Sequence, residues 1–92
     1  MRVKKVRFFG SGGCEDCMQA YLLISQYQIE CEYVDANTED DYIQTLCDQN
    51  NVYDLPHLQF LSSDDLILYE HVGPIEESQF IVYLFNDFLC SQ

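Results

Sequence analysis

The sequence predicts one α/β domain spanning residues 1–92, with element order β-α-β-α-β-β-α and a four-stranded mixed sheet flanked by helices. Three observations carry this expectation. Apolar residues recur at helical spacing in three stretches, near 15–27, 38–49 and 75–88, none interrupted by Gly or Pro. Four runs rich in β-branched and aromatic residues lie around them, near 3–9, 31–35, 57–61 and 66–72. The first two runs flank a helix, which suits parallel strands, whereas the last two are separated only by Ser62-Ser63-Asp64-Asp65, which suits a hairpin.

The first strand, Val3 to Phe9, ends at Gly10-Ser11-Gly12-Gly13. Helix one follows from Glu15 to about Tyr27, with Met18, Tyr21, Leu22 and Ser25 on one face and Leu23 and Ile24 widening the apolar stripe. Cys31 to Asp35 forms the second strand. Thr38 and Asp41 have the spacing of a capping box with a shortened acid, and Glu39, Asp40 and Asp41 crowd a first turn whose dipole favours negative charge. Helix two then carries Tyr42, Ile43, Leu46 and Cys47 and stops at Asn50-Asn51. Pro56 cannot continue a helix and opens the third strand, which is expected to start at a sheet edge with His57 in solvent. After the fourth strand, Pro74 suits the first turn of a last helix, with Glu76 and Glu77 at its positive end and a core stripe of Phe80, Ile81, Leu84, Phe85 and Phe88. His71 reads as an ordinary strand residue.

Ninety-two residues with 48% apolar content allow one core and leave no room for a second domain. The charge is lopsided: 16 Asp and Glu against 4 Lys and Arg, a formal net charge of -12. All four basic residues, Arg2, Lys4, Lys5 and Arg7, precede Phe8. Binding a phosphate backbone or an anionic bilayer needs clustered cations, so neither nucleic acid nor membrane is expected as a partner. The first residues lack the apolar run of an export signal, and no stretch reaches the roughly 20 apolar residues of a membrane span. A cytoplasmic monomer is the expectation.

Five cysteines are present, at positions 14, 17, 31, 47 and 90; the odd number and the apolar content argue against a secreted disulfide scaffold. Cys31, Cys47 and Cys90 occupy apolar or amphipathic positions and read as small hydrophobes. Cys14 and Cys17 differ. Their spacing brings two Cα atoms on a helix near the roughly 5.5 Å that a disulfide needs. At a helix start, a thiolate on Cys14 would face unpaired N–H groups, which favour the anion and its attack on another disulfide, with Cys17 resolving the product. The same spacing serves zinc sites and inert structural pairs, but a single Cys-x-x-Cys at a strand-to-helix junction favours redox chemistry. Gly10 to Gly13 lacks the Lys-Ser/Thr of a phosphate-binding loop.

This arrangement resembles a glutaredoxin or small thioredoxin-like protein over essentially the whole chain. The residues that carry the resemblance are Phe8-Phe9 ending strand one, Cys14 to Cys17 opening helix one, Asp54-Leu55-Pro56 before strand three, and Val72-Gly73-Pro74 before the last helix. The resemblance implies a cis peptide bond at Pro56, facing the cysteines, and a substrate-binding backbone at Leu55 beside Pro56 and Gly73. It implies catalytic roles for Cys14 and Cys17 and no required cofactor. Departures are equally informative. Where glutaredoxins carry a Lys, this chain has Ser11; where they have Pro-Tyr between the cysteines, it has Glu15-Asp16; and Asn51-Val52-Tyr53-Asp54 and Gly73-Pro74-Ile75-Glu76 supply no cation for a glutathione carboxylate. Glutathione should therefore bind poorly, and Glu15 and Asp16 should make the Cys14 thiolate less stable and the disulfide less oxidising than in typical relatives. His57 is a further possible modulator of Cys14, weighed against the solvent-exposed strand start given above.

The expected function is thus a dithiol-disulfide oxidoreductase that reduces a disulfide-containing protein with a basic surface. Two readings of other classes stand beside it: a non-catalytic binding module with an acidic surface, and a metal or iron-sulfur site built on Cys14 and Cys17.

Overall fold

In a computed structural model, residues 2–90 of the chain are described, with side chains described as far as residue 85. The elements are β1 (Lys5–Gly10), α1 (Glu15–Ser25), β2 (Glu30–Asp35), α2 (Asp41–Gln49), β3 (His57–Leu61), β4 (Ile67–Val72) and α3 (Glu77–Cys90). They form one sheet of order β2-β1-β3-β4. β1 pairs with β2 in parallel and with β3 antiparallel, and β3 pairs antiparallel with β4.

Register determines which loops meet. Phe9 lies opposite Val34 and His57, and His57 lies opposite Val72, so the end of β1, the end of β2, the start of β3 and the end of β4 share one edge of the sheet. The Cys14 loop, Asn37, Leu55-Pro56 and Gly73 all follow or precede that edge. Order and pairing therefore gather segments as distant in the chain as Cys14 and Gly73.

The two faces of the sheet bury different sets. Val6, Phe8, Leu58 and Phe60 pack with Cys17, Ala20, Leu23 and Ile24 of α1 and Phe80 of α3. On the other face Phe9 and Val34 meet Cys47 of α2. The alternation is the ordinary period of two along a strand, with helices covering both sides. No helix among the described residues is long and apolar enough to cross a membrane.

Several expectations are corrected in detail. The buried face of α1 is Cys17, Ala20, Leu23 and Ile24, whereas Met18, Tyr21 and Leu22 are exposed. Both stripes satisfy helical spacing; burying the small Ala20 and Cys17 lets the helix approach the sheet closely. β3 lies inside the sheet rather than at an edge, and His57 is buried. The last helix starts at Glu77, three residues after Pro74. Gln79 reaches back so that its Oε1 accepts the Glu76 N–H at 2.9 Å, and the Phe80 N–H donates to the Glu76 carbonyl at 3.0 Å. That is half of a capping box, with Glu76 at the cap. α3 bends at Phe85 (φ -115°, ψ 17°). The side chains of Phe88 and Cys90 lie outside the described residues.

α2 is capped by Asp40 rather than Thr38: its Oδ1 accepts from the Tyr42 N–H at 2.8 Å and the Ile43 N–H at 3.3 Å. Thr38 instead accepts from the Asp40 N–H at 3.4 Å and so positions the cap. An Asp40→Ala variant is expected to lose about 1 kcal/mol in urea unfolding, the usual cost of removing an N-cap side chain. Thr38→Ala should cost less. At the other end of α2, Asn51 takes φ 56°, the left-handed conformation that Asn tolerates.

Candidate functional site

Cys14 sits where β1 has ended and α1 has not begun. Its backbone is extended (φ -99°, ψ 114°), its N–H donates to the Ser11 carbonyl at 3.4 Å, and its Sγ accepts the Cys17 N–H at 3.1 Å. The sulfur thus occupies the N-cap position that a Ser or Asp oxygen usually fills. Once the pair is reduced, the same N–H faces a thiolate and stabilises its charge, as do the other unpaired N–H groups of the first turn.

Cys14 and Cys17 form a disulfide with Cα atoms 5.1 Å apart. They are unequal in access: Cys14 is half-buried, while Cys17 is 3% exposed and packs among Val6, Phe8 and Leu58. An incoming reagent therefore meets Cys14 first. Glu15 and Asp16 are exposed on the first turn, pointing acidic charge at whatever approaches.

The Leu55–Pro56 bond is cis, Pro56 is fully buried, and Leu55 packs against both core clusters, including the one that Cys14 joins. Gly73 has φ +93°, a backbone that side chains rarely adopt, and its N–H donates to the Pro56 carbonyl at 2.8 Å. This bond ties the loop before α3 to the proline loop.

His57 is the residue whose placement departs furthest from expectation. Adjacent strand residues point to opposite faces, so His57 lies with Phe9 (ring centroids 5.7 Å apart), away from the face where Leu58 meets Cys17. Its Nε2–H donates to the Glu70 carboxylate at 2.6 Å, and among the described residues no hydrogen-bond partner reaches its buried Nδ1. The side chain belongs to a polar row that crosses the sheet under α2. Arg7 donates to Glu32 and to Gln59, each at 3.2 Å, and Gln59 donates at 2.9 Å to Asn50, which caps the C-terminus of α2. That row satisfies the buried Gln59 amide and anchors α2; it does not reach the cysteines. His71 is a strand residue that donates from Nε2 to the Pro74 carbonyl at 2.9 Å and accepts the Tyr83 hydroxyl at Nδ1, 3.0 Å away.

Charge elsewhere reinforces the acidic character of the site edge. Lys5 pairs with Asp65 at 2.9 Å, and its hydrogen bond to that carboxylate, against some desolvation, holds the ammonium above its ordinary range. Lys5 and Arg7 also both approach Glu32. These cations are neutralised along the strands, and no Lys or Arg lies beyond Arg7 to serve the loops around Cys14. The buried Cys47 thiol is pushed up, first by burial and then by the neighbouring Asp48, and the Cys31 thiol, although exposed on the edge strand β2, is pushed up by partial desolvation and then by Glu32, so both ionise less readily than a free thiol. Among the described residues no group of three His, Cys, Asp or Glu side chains is placed to hold a metal ion.

The sequence reading missed one feature beside the disulfide, a cavity of about 240 Å³ lined by Cys14, Cys17, Phe8, Met18, Tyr21 and Tyr33. The signal was present but assigned to the core, because Met18 and Tyr21 fit the helical stripe as well as the residues that are buried.

No protein-family model matches the chain, and no curated protein matches its sequence. Solved structures do match. A thioredoxin O2 from Arabidopsis thaliana, in the oxidised state, superposes with TM-score 0.72 at 19% identity over 92% of this chain and 74% of its own. A single-residue mutant of a thioredoxin from Halobacterium salinarum gives TM-score 0.74 at 17% identity, covering 89% and 72%. Thioredoxin 1 from Thermosipho africanus gives 0.72 at 15% identity, covering 95% and 97%. At these identities the likeness concerns the fold, and on that ground the chain is a small protein of thioredoxin-like fold with a Cys14–Cys17 disulfide at the start of its first helix.

Proposed function

We propose that the chain is a dithiol-disulfide oxidoreductase of the small, glutaredoxin-like type, acting on protein disulfides through Cys14 and Cys17. The observation that carries this reading is the asymmetry of the pair, a half-buried sulfur at the N-cap of α1 bonded to a buried one a turn deeper. In the reduced chain the Cys14 thiolate attacks one sulfur of a substrate disulfide. A mixed disulfide forms, and the other substrate sulfur leaves as a thiolate that takes a proton from water. The Cys17 thiolate then attacks the Cys14 sulfur, closing the internal disulfide and releasing the second substrate thiol. Two electrons pass to the substrate, and a dithiol donor returns them to the chain.

Leu55, Pro56 and Gly73 line the edge of the sheet where an extended substrate can pair with backbone. Free glutathione is a poor fit, because its carboxylates find no cation at this edge. A protein with basic groups around its disulfide suits Glu15 and Asp16, and the proposal includes action in the cytosol as a monomer without a cofactor.

Equilibration in a graded dithiol/disulfide buffer, followed by alkylation and peptide mass mapping, tests the reading. Cys14 and Cys17 are expected to interconvert as one two-electron couple at about -200 to -270 mV. Cysteines that do not oxidise together, or stay protected until a chelator is added, overturn it in favour of a binding or metal module. Reduction of a basic protein disulfide is also expected to slow as salt is raised, since screening weakens steering between exposed charges. A rate independent of salt removes the electrostatic part of the proposal.

A further inference from the structure

The cavity beside the disulfide lies between α1 and β2, on the side of Cys14 opposite the proline loop, because β2 and β3 flank β1 on its two sides. Its floor is the Phe8 ring, 5.2 Å from that of Tyr33. Gly10 lies close beneath it: a Cβ at that position would come within 3.2 Å of both rings, which would then have to give by a few tenths of an ångström. Its walls are apolar yet uncovered, Met18 being 55%, Tyr21 53% and Tyr33 48% exposed. About 240 Å³ is smaller than the roughly 300–1,000 Å³ of sites that enclose a drug-sized ligand, and it suits a single large side chain. Met18 can adapt its rotamers to such a guest and places a thioether against its ring.

The rim is acidic. Glu15, one turn before Met18, projects from the first turn of α1, and Asp35 follows Tyr33 on the same face of β2. Two residues apart on one strand, Asp35 and Tyr33 project from the same face, and the Tyr33 hydroxyl is pushed up by burial first and then by the charge of Asp35.

We propose that this cavity is a specificity subsite: it receives a bulky apolar side chain adjacent to the cysteine of a basic polypeptide, and so holds that polypeptide's disulfide over Cys14. The proposal rests on the oxidoreductase reading and names the substrate that it prefers. The polypeptide backbone runs by the Leu55-Pro56 loop, its disulfide lies at Cys14, and the apolar neighbour enters beside Tyr33 while flanking Lys or Arg meets Glu15 and Asp35.

The test uses the full chain, reduced and freed of reductant, mixed with two disulfide-linked peptide dimers that differ in one residue. Both contain Lys; one has Phe beside its Cys and the other Gly. A single turnover needs no donor: the two thiols of the chain supply two electrons and two protons, ending as the Cys14–Cys17 disulfide and two peptide thiols. The Phe peptide is expected to react about tenfold faster, which corresponds to about 1.4 kcal/mol. Exposed-residue variants Met18→Ser and Tyr21→Ser are expected to cut that preference to about twofold, and replacing the peptide Lys by Glu to slow both peptides. Equal rates for the two peptides, or a preference unchanged in both variants, overturn the subsite. If the chain reduces neither peptide, the oxidoreductase reading fails instead, and the cavity is then tested on the oxidised chain by NMR titration with cysteine-free Lys-Phe and Lys-Gly peptides. Saturable shifts of the Met18 methyl with the Phe peptide alone support the subsite; no shift overturns it.

Discussion

A Cys14→Ser variant is expected to reduce protein disulfides on the order of a thousandfold more slowly than the unmodified chain, because a neutral hydroxyl replaces the only accessible thiolate of the pair. Cys17→Ser should behave differently. The mixed disulfide at Cys14 still forms, but the buried thiol that would break it is gone, so chain and substrate stay covalently joined through a bond that dithiothreitol releases. Stopped-flow rates for the first variant and intact mass for the second check the pair of outcomes. The two phenotypes together test the order of attack, which follows from access: Cys17 is buried within the cluster of Val6, Phe8 and Leu58, whereas Cys14 packs at its margin and is only half-buried. Wild-type rates in Cys14→Ser end the mechanism. An equal yield of trapped adduct through Cys17 in that variant would reverse the assignment of the two sulfurs.

The largest loss of stability is expected from Phe60→Ala. Phe60 is fully buried on the inner strand β3, stacks on Tyr83 with centroids 4.6 Å apart, and meets Phe80 at 5.8 Å. It joins the sheet to α3, so its loss leaves a cavity that neither rigid neighbour can fill. The expected cost is about 3–5 kcal/mol, a large share of the roughly 5–15 kcal/mol that stabilises a typical domain. In a chain of this size that lowers the melting temperature by on the order of 15–25 °C, read by circular dichroism. Val82→Ala, at a position half exposed on α3, should change stability by no more than about 0.5 kcal/mol. A Phe60 variant as stable as this control would mean that the aromatic cluster does not support α3.

The element order was legible because each signal is local. β-branched and aromatic runs, the Ser62 to Asp65 turn, the Asn50-Asn51 stop and the Cys-x-x-Cys at a strand-to-helix junction all act within a few residues. Errors arose where two local solutions were nearly equal. Thr38 and Asp40 can each cap a helix, and what decides is which side-chain oxygen reaches two N–H groups; Asp40 does. α1 offers two apolar stripes, Met18-Tyr21-Leu22 and Cys17-Ala20-Leu23-Ile24, and periodicity cannot rank them. Packing can, because only the face bearing Ala20 and Cys17 lets the helix settle against Val6 and Phe8. That same choice leaves Met18 and Tyr21 outside, which makes the cavity beside the disulfide.

His57 shows the limit most clearly. Whether a strand lies inside a sheet or at its edge depends on pairings between segments distant in sequence, and those decide whether the first residue of β3 faces solvent or Glu70. By itself, then, the sequence determined the order of elements, the position of the reactive pair and the lack of cations beyond Arg7, since composition and short-range backbone chemistry suffice for each. Only the tertiary structure decided which cysteine of the pair is the more accessible, which face His57 occupies and where the apolar cavity opens, because all three depend on how β1, β3 and α1 pack against one another.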